Sequence, residues 1–312
     1  MIATLSLPLS AHELRDAVRH SRPFNPARLD RVLRLDTSRS VVEVQASATW
    51  ASLGAYLRPT AHELNIRWAE APTIAQSVAT NAAGPDGRPT VAHVESMVLV
   101  TPEGELRKVS RSGSPELFAL TIGGQGLFGE PYSVTLNLES LAAAAAAATP
   151  PATLAIAGEN RTGRALHLLV APESLERFLA EARNLCAEWR VAIDGVEVRR
   201  TLAEDETLLR WARREYAAVA LRLAEPPALG GCVRSAQLRR QLIDSAIAHG
   251  GSFPIACTPE ASRAQTETCY PELKRFLAEK RRLDPTERLV NGWYRHHRSL
   301  LGRESCLVRW TR

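Results

Sequence analysis

The stretch "PTIAQSVATNAAGPDGRPT", residues 72–90, decides how the rest of the chain is read. It is dense in small residues and carries no strong helix or strand period. Ala75, Ser77, Ala79, Ala82, Ala83 and Gly84 leave the backbone open to close approach. Two readings stand side by side. The stretch can floor a planar ring, with free backbone N–H groups facing its heteroatoms, or it can be a close-packed helix contact.

Working outward, the flanking segments read as regular elements. "SAHELRDAVRH" opens with Ser10 and Glu13 in capping-box spacing, which starts a helix. "SVVEVQA" (40–46) alternates and is β-branched, hence a strand. "TWASLGAYL" (49–57) is a short helix. "ESMVLVT" (95–101) and "LRKVS" (106–110) form a hairpin across the "PEGE" turn. "SPELFALTI" (114–122) is a helix with proline at its first position. "GGQGLFGE" (123–130) is a glycine-rich loop, and "YSVTLNLE" (132–139) is an alternating strand.

Composition then breaks at "SLAAAAAAATPPAT" (140–153), a helical or irregular linker and a domain boundary. Beyond it, "RALHLLVA" (164–171), "VEVRRTL" (196–202), "YAAVALRLA" (216–224) and "SFPIAC" (252–257) read as strands. "PESLERFLAEARNLCAEW" (172–189) is an amphipathic helix with Leu175, Phe178, Leu179 and Ala182 on one face. Residues 235–251 form a helix ended by glycine, and residues 264–284 form another stopped by Pro285. The second half is a layer of strands backed by helices, an α+β arrangement.

The bulk numbers exclude several classes. With 312 residues, 45% hydrophobic and 23% charged, the chain has the makings of a sizeable core. A net charge of +5, carried almost wholly by arginine, is a weak argument for nucleic acid, and none is expected as a partner. Five widely spaced cysteines without a CxxC pair argue against a disulfide framework and a zinc site, so no metal is expected. The first ten residues lack the pattern of a signal peptide, and no apolar run reaches the length of a membrane span. A cytoplasmic protein is the expectation.

Gly123, Gly124, Gly126 and Gly129 fall between a helix and a strand, where backbone without Cβ atoms can lie against a flat ligand or a phosphate, or simply turn tightly. The order is the reverse of a Rossmann fingerprint, and no Gly-Lys-Ser/Thr follows as in a P-loop. The order of elements says more. An alternating strand, a helix, the small-residue stretch, a hairpin, a helix, a glycine loop and a strand resemble the FAD-binding domain of the FAD-linked oxidase family, the vanillyl-alcohol-oxidase or PCMH type. Thr73, Ile74, Ala79, Asn81 and Gly84 match its first motif. Val94, Val100, Thr101 and Gly104 match its hairpin. Glu116, Leu117, Phe118 and the four glycines match its glycine segment. "CYPELKRFLAEKRRLDPTERLVNGWYRHH" (269–297) is similar to its closing segment, in the manner of the decaprenylphosphoryl-ribose oxidase and sterol side-chain reductase branch.

The resemblance implies a truncated PCMH-type domain over residues 1–140, an Ala/Pro linker over 141–153, an α+β cap or substrate domain over 154–268, and a C-terminal segment, 269–312, returning to the FAD side. It implies FAD held by Thr73, Ile74, Ser77, Asn81 and Gly84, by Gly124, Gly126, Gly129 and Glu130, and by Asn291. It implies Tyr294 and Cys257 as candidate catalytic groups; packed aromatic and inert thiol are their alternatives. His296 and His297 read as solvated surface.

There are departures. About 30 residues precede the strand region, and the family's diphosphate loop "RGxGxS/H" is absent. Ala75-Gln76 stands for Gly-Gly, so Gln76 points away or blocks the flavin. Glu130-Pro131 stands for an aliphatic pair that contacts adenine, and Pro131 has no N–H. Losing two or three charge-assisted hydrogen bonds to the diphosphate weakens binding by about 4–9 kcal/mol. The expected function is hydride transfer from a C–H or C–OH of a small or lipid-linked substrate to flavin. A partner chain can supply the missing diphosphate subdomain; the alternative is a flavin-free homologue that serves as a binding or scaffold protein.

Overall fold

Ser10 and Glu13 form the reciprocal pair that starts helix α1 (Ala11–Arg19): the serine oxygen accepts from the Glu13 N–H, and the Glu13 carboxylate accepts from the Ser10 N–H. The computed structural model describes residues 10–58, 73–148, 152–154, 165–224 and 231–302. They fall into two compact units, one of Met1–Ala148, Glu204–Arg210 and Arg275–Asn291, the other of Thr149–Ala203, Trp211–Lys274 and Gly292–Arg312. Helices and antiparallel sheets occur in both, an α+β mixture.

In the first unit β1 (Val32–Asp36), β2 (Val41–Gln45), β3 (Val94–Val100), β4 (Leu106–Ser110) and β5 (Glu130–Asn137) make one sheet in the order β1-β2-β5-β3-β4. Every neighbouring pair is antiparallel. Alternation places Val42 and Val44 of β2, Met97 and Leu99 of β3 and Val134 and Leu136 of β5 in one core. Helices α2 (Trp50–Leu57), α3 (Ile74–Thr80) and α4 (Pro115–Thr121) close over it with Trp50, Leu53, Ile74, Val78 and Phe118. A smaller cluster joins Leu14 and Val18 of α1 to Leu29 and Val100. Strand β1 has no clean alternation in sequence, and its burial is correspondingly ragged.

Of the two forms read for the stretch 140–153, its first part takes the helical one. Ala142–Ala146 lie in α5 (Leu138–Ala146), capped by Asn137, whose side chain accepts from the Ser140 N–H. Leu138, Leu141 and Ala144 are buried, the first two in the main core of the first unit. Alanine's high helix propensity and the apolar stripe from Leu138 to Leu141 decide this locally.

Two later segments rejoin the first unit. In Glu204–Arg210, the Glu204 carboxylate accepts from the backbone N–H groups of Glu206 and Thr207, both at 2.9 Å, and Glu206 pairs with Arg111. In Arg275–Asn291, Phe276 meets Phe128 edge-on at 5.0 Å, and the Arg288 guanidinium donates to the Pro102 carbonyl at 2.8 Å. Lys280 and Asp284 form a fully buried ion pair, and Asp284 also accepts from the N–H groups of Arg288 and Leu289.

The second unit holds a four-stranded antiparallel sheet in the order β6-β8-β9-β7, from β6 (Ala152–Leu154), β7 (Ala165–Val170), β8 (Ile193–Thr201) and β9 (Tyr216–Leu223). Helix α6 (Leu175–Glu188) buries Phe178, Leu179, Ala182 and Cys186. Helix α7 (Gly231–Ala248) packs against α6 and β7. "SFPIAC" is not a strand: only Ser252 bridges, to Leu169, and residues 255–257 turn so that the Cys257 N–H bonds the Pro254 carbonyl at 3.2 Å. The single helix expected over 264–284 is two, α8 (Arg263–Cys269) and α9 (Leu273–Leu283). Tyr270 leaves helical geometry immediately before Pro271, as the residue preceding a proline is disposed to do. Helix α10 (Gly292–Gly302) buries His297, whose ring stacks on Trp293 at 4.1 Å, so this histidine is not solvated surface.

Candidate functional site

Within the deciding stretch, Ile74–Thr80 form helix α3. Thr73 caps α3 through a second reciprocal box: its oxygen accepts from the Gln76 N–H, and the Gln76 side chain accepts from the Thr73 N–H. Asn81 ends the helix at φ 50°, in the left-handed region an asparagine tolerates. Small residues hid a helix of only two turns, because alanine and serine carry little periodic signal.

The capping bears on the first of the two readings of the stretch. The first N–H groups of α3 are bonded within the protein. The Ile74 N–H donates to Ala48 O at 3.0 Å, the Ala75 N–H to Ala46 O at 2.6 Å, and the Gln76 N–H to Thr73 Oγ1 at 3.2 Å. The far end is bound to the glycine loop: the Gly123 N–H donates to Val78 O at 2.8 Å and the Gln125 N–H to Ala79 O at 2.9 Å. The small-residue stretch, the end of β2 and the glycine loop are therefore one hydrogen-bonded construction.

These pieces wall a cleft of about 180 Å³. Ala46 and Ser47 line it after β2, Ala75, Gln76 and Ala79 along α3, and Gly126, Gly129, Glu130 and Pro131 from the glycine loop into β5. Phe24, Pro26 and Leu29 close it from the segment after α1. The walls are overwhelmingly apolar. Gly126 sits at φ 72°, and a Cβ there would meet nothing within 4 Å, so the space beside it is open. Gly129 allows close approach, since its Cβ would come within 3.1 Å of Val100 O and 3.2 Å of Leu99 Cβ. Glu130 is the one charged side chain among the described residues that line the cleft. Burial against these walls pushes its carboxyl up to about 7.

The residues expected on the cofactor side separate into two groups. Gly126, Gly129 and Glu130 line the cleft. Thr73 caps α3, and Ile74 is core. Ser77 is fully buried; Trp50 Nε1 donates to its oxygen at 2.7 Å. Asn81 is also fully buried, accepting from the Val91 N–H at 2.9 Å and donating to Glu204 at 3.4 Å. Gly84 heads a turn, its N–H bonded to Arg88 O at 2.7 Å. Gly124 packs under α4, where a Cβ would fall 2.0 Å from Leu120 O. Asn291 donates to the Gln125 carbonyl at 2.8 Å and so props the glycine loop from behind. Gln76 lies along the cleft, its carbonyl engaged at Thr73, rather than across it.

Tyr294 and Cys257 belong to the second unit. Tyr294 is 1% exposed on α10, with the Arg298 guanidinium 6.0 Å from its ring. The Cys257 thiol is exposed and donates to the Pro254 carbonyl. Ala46, Ser47, Phe24 and Pro26 were not foreseen as lining. The small pair "AS" directly after a strand was the available signal.

Among the described residues no group of three or more His, Cys, Asp or Glu side chains is placed to hold a metal ion. No helix among them is long and apolar enough to cross a membrane. No curated protein matches the chain. Residues 24–110, which contain β1 to β4, α2, α3 and most of the cleft's walls, match the family model of an FAD binding domain. That match supports an FAD-binding oxidase family and indicates that the chain binds FAD.

Proposed function

We propose that this protein is an FAD-linked oxidoreductase that takes a hydride from a C–H or C–OH bond of a small or lipid-linked substrate. The match of residues 24–110 to an FAD binding domain carries the reading, because the same residues build most of the cleft. The cleft suits a ring of the cofactor. Ala46, Ala75, Ala79 and Pro131 offer side chains flat and short enough for stacking, and Gly126 leaves space beside them. The diphosphate has no such place here: among the described residues no Arg, Lys or His lines the cleft, and the first amides of α3 are already bonded. The diphosphate therefore requires donors from elsewhere, and a partner chain that brings a glycine-rich anion loop is the candidate source.

When bound, FAD supplies the hydride acceptor; the protein supplies binding, orientation and exclusion of water. In this chain the apolar walls exclude water. The bonds from Gly123 and Gln125 to α3, and from Asn291 to Gln125, hold the loop in place and would keep that wall of the cleft fixed beside a bound ring.

Absorbance from 300 to 550 nm, taken before and after incubation with excess FAD and desalting, tests the reading. Flavin bands that survive desalting are the expected result, followed by bleaching with an oxidisable substrate. No retained flavin, with or without an added diphosphate-binding partner, refutes it and leaves a flavin-free binding protein.

A further inference from the structure

The segment that follows α1 frames one side of the cleft, and it is bonded to the rest of the protein at its ends. At one end the Arg22 N–H donates to Ala17 O at 2.8 Å, and the Arg22 guanidinium pairs with Asp16 at 2.9 Å. At the other the Ser47 N–H donates to Leu29 O at 2.8 Å, and the Arg28 guanidinium stands 3.7 Å from the Glu13 carboxylate. Among the described residues, those between, 23–27, are hydrogen-bonded only within the segment. The Ala27 N–H donates to Asn25 Oδ1 at 3.1 Å, the Arg28 N–H to Asn25 O at 3.2 Å and the Leu29 N–H to Pro26 O at 2.9 Å. Pro23 and Pro26 fix the backbone at two further points. The segment is braced within and unbonded without, as suits a piece that moves as one body between two hinges.

Its cleft side is apolar. Phe24 is half-buried, packs on the cluster of Leu14, Val18, Leu29 and Val100, and lines the cleft. Pro26 and Gln76 are exposed lips of the cleft, whereas Leu29, Ala46 and Val78 are its buried floor. An aromatic side chain at the mouth of such a cleft gains contact when a flat ring lies against it. We propose that residues 23–27 are a lid that swings out on its two anchored ends to admit a flat ring, and closes with Phe24 laid against that ring. The inference deepens the FAD reading and rests on it for the ligand.

A lid makes a demand that a fixed wall does not. Opening precedes both entry and release, so a change that eases opening speeds both and leaves the affinity as it was. Pro23 is exposed and is not among the described lining residues, so its substitution acts on opening alone. Replacing a proline frees the open chain, raising its population about two- to fivefold. Phe24 touches the ring itself, so its loss acts on release far more than on entry.

The experiment is stopped-flow mixing of the purified full chain with FAD, followed by flavin fluorescence, with release read on rapid dilution. Pro23→Ala is expected to raise the association and release rates by the same factor, about two- to fivefold, with the affinity unchanged. Phe24→Ala is expected to speed release about tenfold or more and to weaken binding accordingly. Phe24→Trp, which keeps an aromatic face, is expected to restore slow release. Far-UV circular dichroism confirms that each variant is folded. FAD binding with both rates unchanged in Pro23→Ala, or with wild-type affinity in Phe24→Ala, overturns the lid while leaving the FAD reading in place. Failure of the FAD reading has a different signature: flavin fluorescence is then unchanged by the wild type at every concentration, and the lid falls with it.

Discussion

Gly124 and Gly126 lie two residues apart in one loop, and the structure gives them opposite reasons for being glycine. A Cβ at Gly124 would fall 2.0 Å from Leu120 O and 3.0 Å from Thr121 O, both backbone oxygens of α4, where ordinary contact begins at 3.4 Å. The backbone must open by more than 1 Å at that point. Overpacking alone costs about 1–3 kcal/mol, and more where backbone must move. The opening also strains the Gly123–Val78 and Gln125–Ala79 bonds on either side, each worth about 1 kcal/mol. Gly124→Ala is therefore expected to lose about 3–5 kcal/mol. At Gly126 a Cβ meets nothing within 4 Å, and only the left-handed backbone at φ 72° is penalised, by about 1–2 kcal/mol. The new methyl of Gly126→Ala instead projects into open space beside the cleft. Urea unfolding followed by circular dichroism reads the first effect, and FAD retention after desalting reads the second. Gly124→Ala should show by far the larger fall in midpoint, and Gly126→Ala the larger loss of flavin relative to its stability loss. Equal midpoints, or Gly126→Ala as the less stable protein, would refute the assignment of these two roles.

Three further outcomes follow from buried polar groups. Lys280→Met leaves the Asp284 carboxylate buried with only two backbone N–H donors, so thermal unfolding should show a loss of about 3–5 kcal/mol, largely restored in the Lys280→Met, Asp284→Asn double variant; equal loss in single and double variants would contradict the pairing. Ser77→Ala removes the oxygen to which the Trp50 indole donates, and should destabilise by about 1–3 kcal/mol while leaving the affinity for FAD unchanged, since Ser77 does not line the cleft. Burial depresses His93 and His297 to about 4, so both are neutral in the folded protein; their contribution is complete above pH 6.5 and is lost as pH falls toward 4, by up to about 3 kcal/mol each. Urea midpoints at pH 7, 6 and 5 should fall more steeply in the wild type than in His93→Asn, and parallel profiles would count against it.

Much of the first unit was legible because its elements carry redundant local signals. Ser10 and Glu13 start α1, Pro115 starts α4, and β-branched alternation marks β2 and β3. The illegible parts are those where long-range packing decides. Strand β1 has mixed burial and exists because β2 pairs with it. Ser252–Cys257 looks like a strand from composition, yet only Ser252 finds a partner at Leu169. The single run of helix formers over 264–284 is cut at Tyr270, whose hydroxyl accepts from the Ile255 N–H deep in the second unit. His297 reads as polar surface until α10 turns it inward onto Trp293. At the candidate site the motif residues were visible, but not which face of each would be free, because that depends on partners far away in sequence such as Val91, Glu204 and Gln125.

The same distinction bears on where specificity resides. Ser77, Asn81 and Gly124 match or accompany the FAD-linked motif, and each is explained by a contact within the protein: an indole, a backbone amide, a carbonyl. Such positions build the walls, and any ligand of suitable shape benefits equally from them. Gln76 and Glu130 lie where the sequence leaves the motif, and both line the cleft. A difference in affinity between two ligands requires a group that treats them differently, and an apolar wall discriminates little among flat rings. Of the two, Gln76 has its carbonyl committed to the cap of α3, whereas no described side chain is hydrogen-bonded to the Glu130 carboxyl. Discrimination in this cleft therefore falls to the polar side chains among its lining residues, Ser47, Gln76, Thr121 and Glu130. Substitution among them should change which ring is accepted, while substitution at Ser77, Asn81 or Gly124 should change how much folded protein there is.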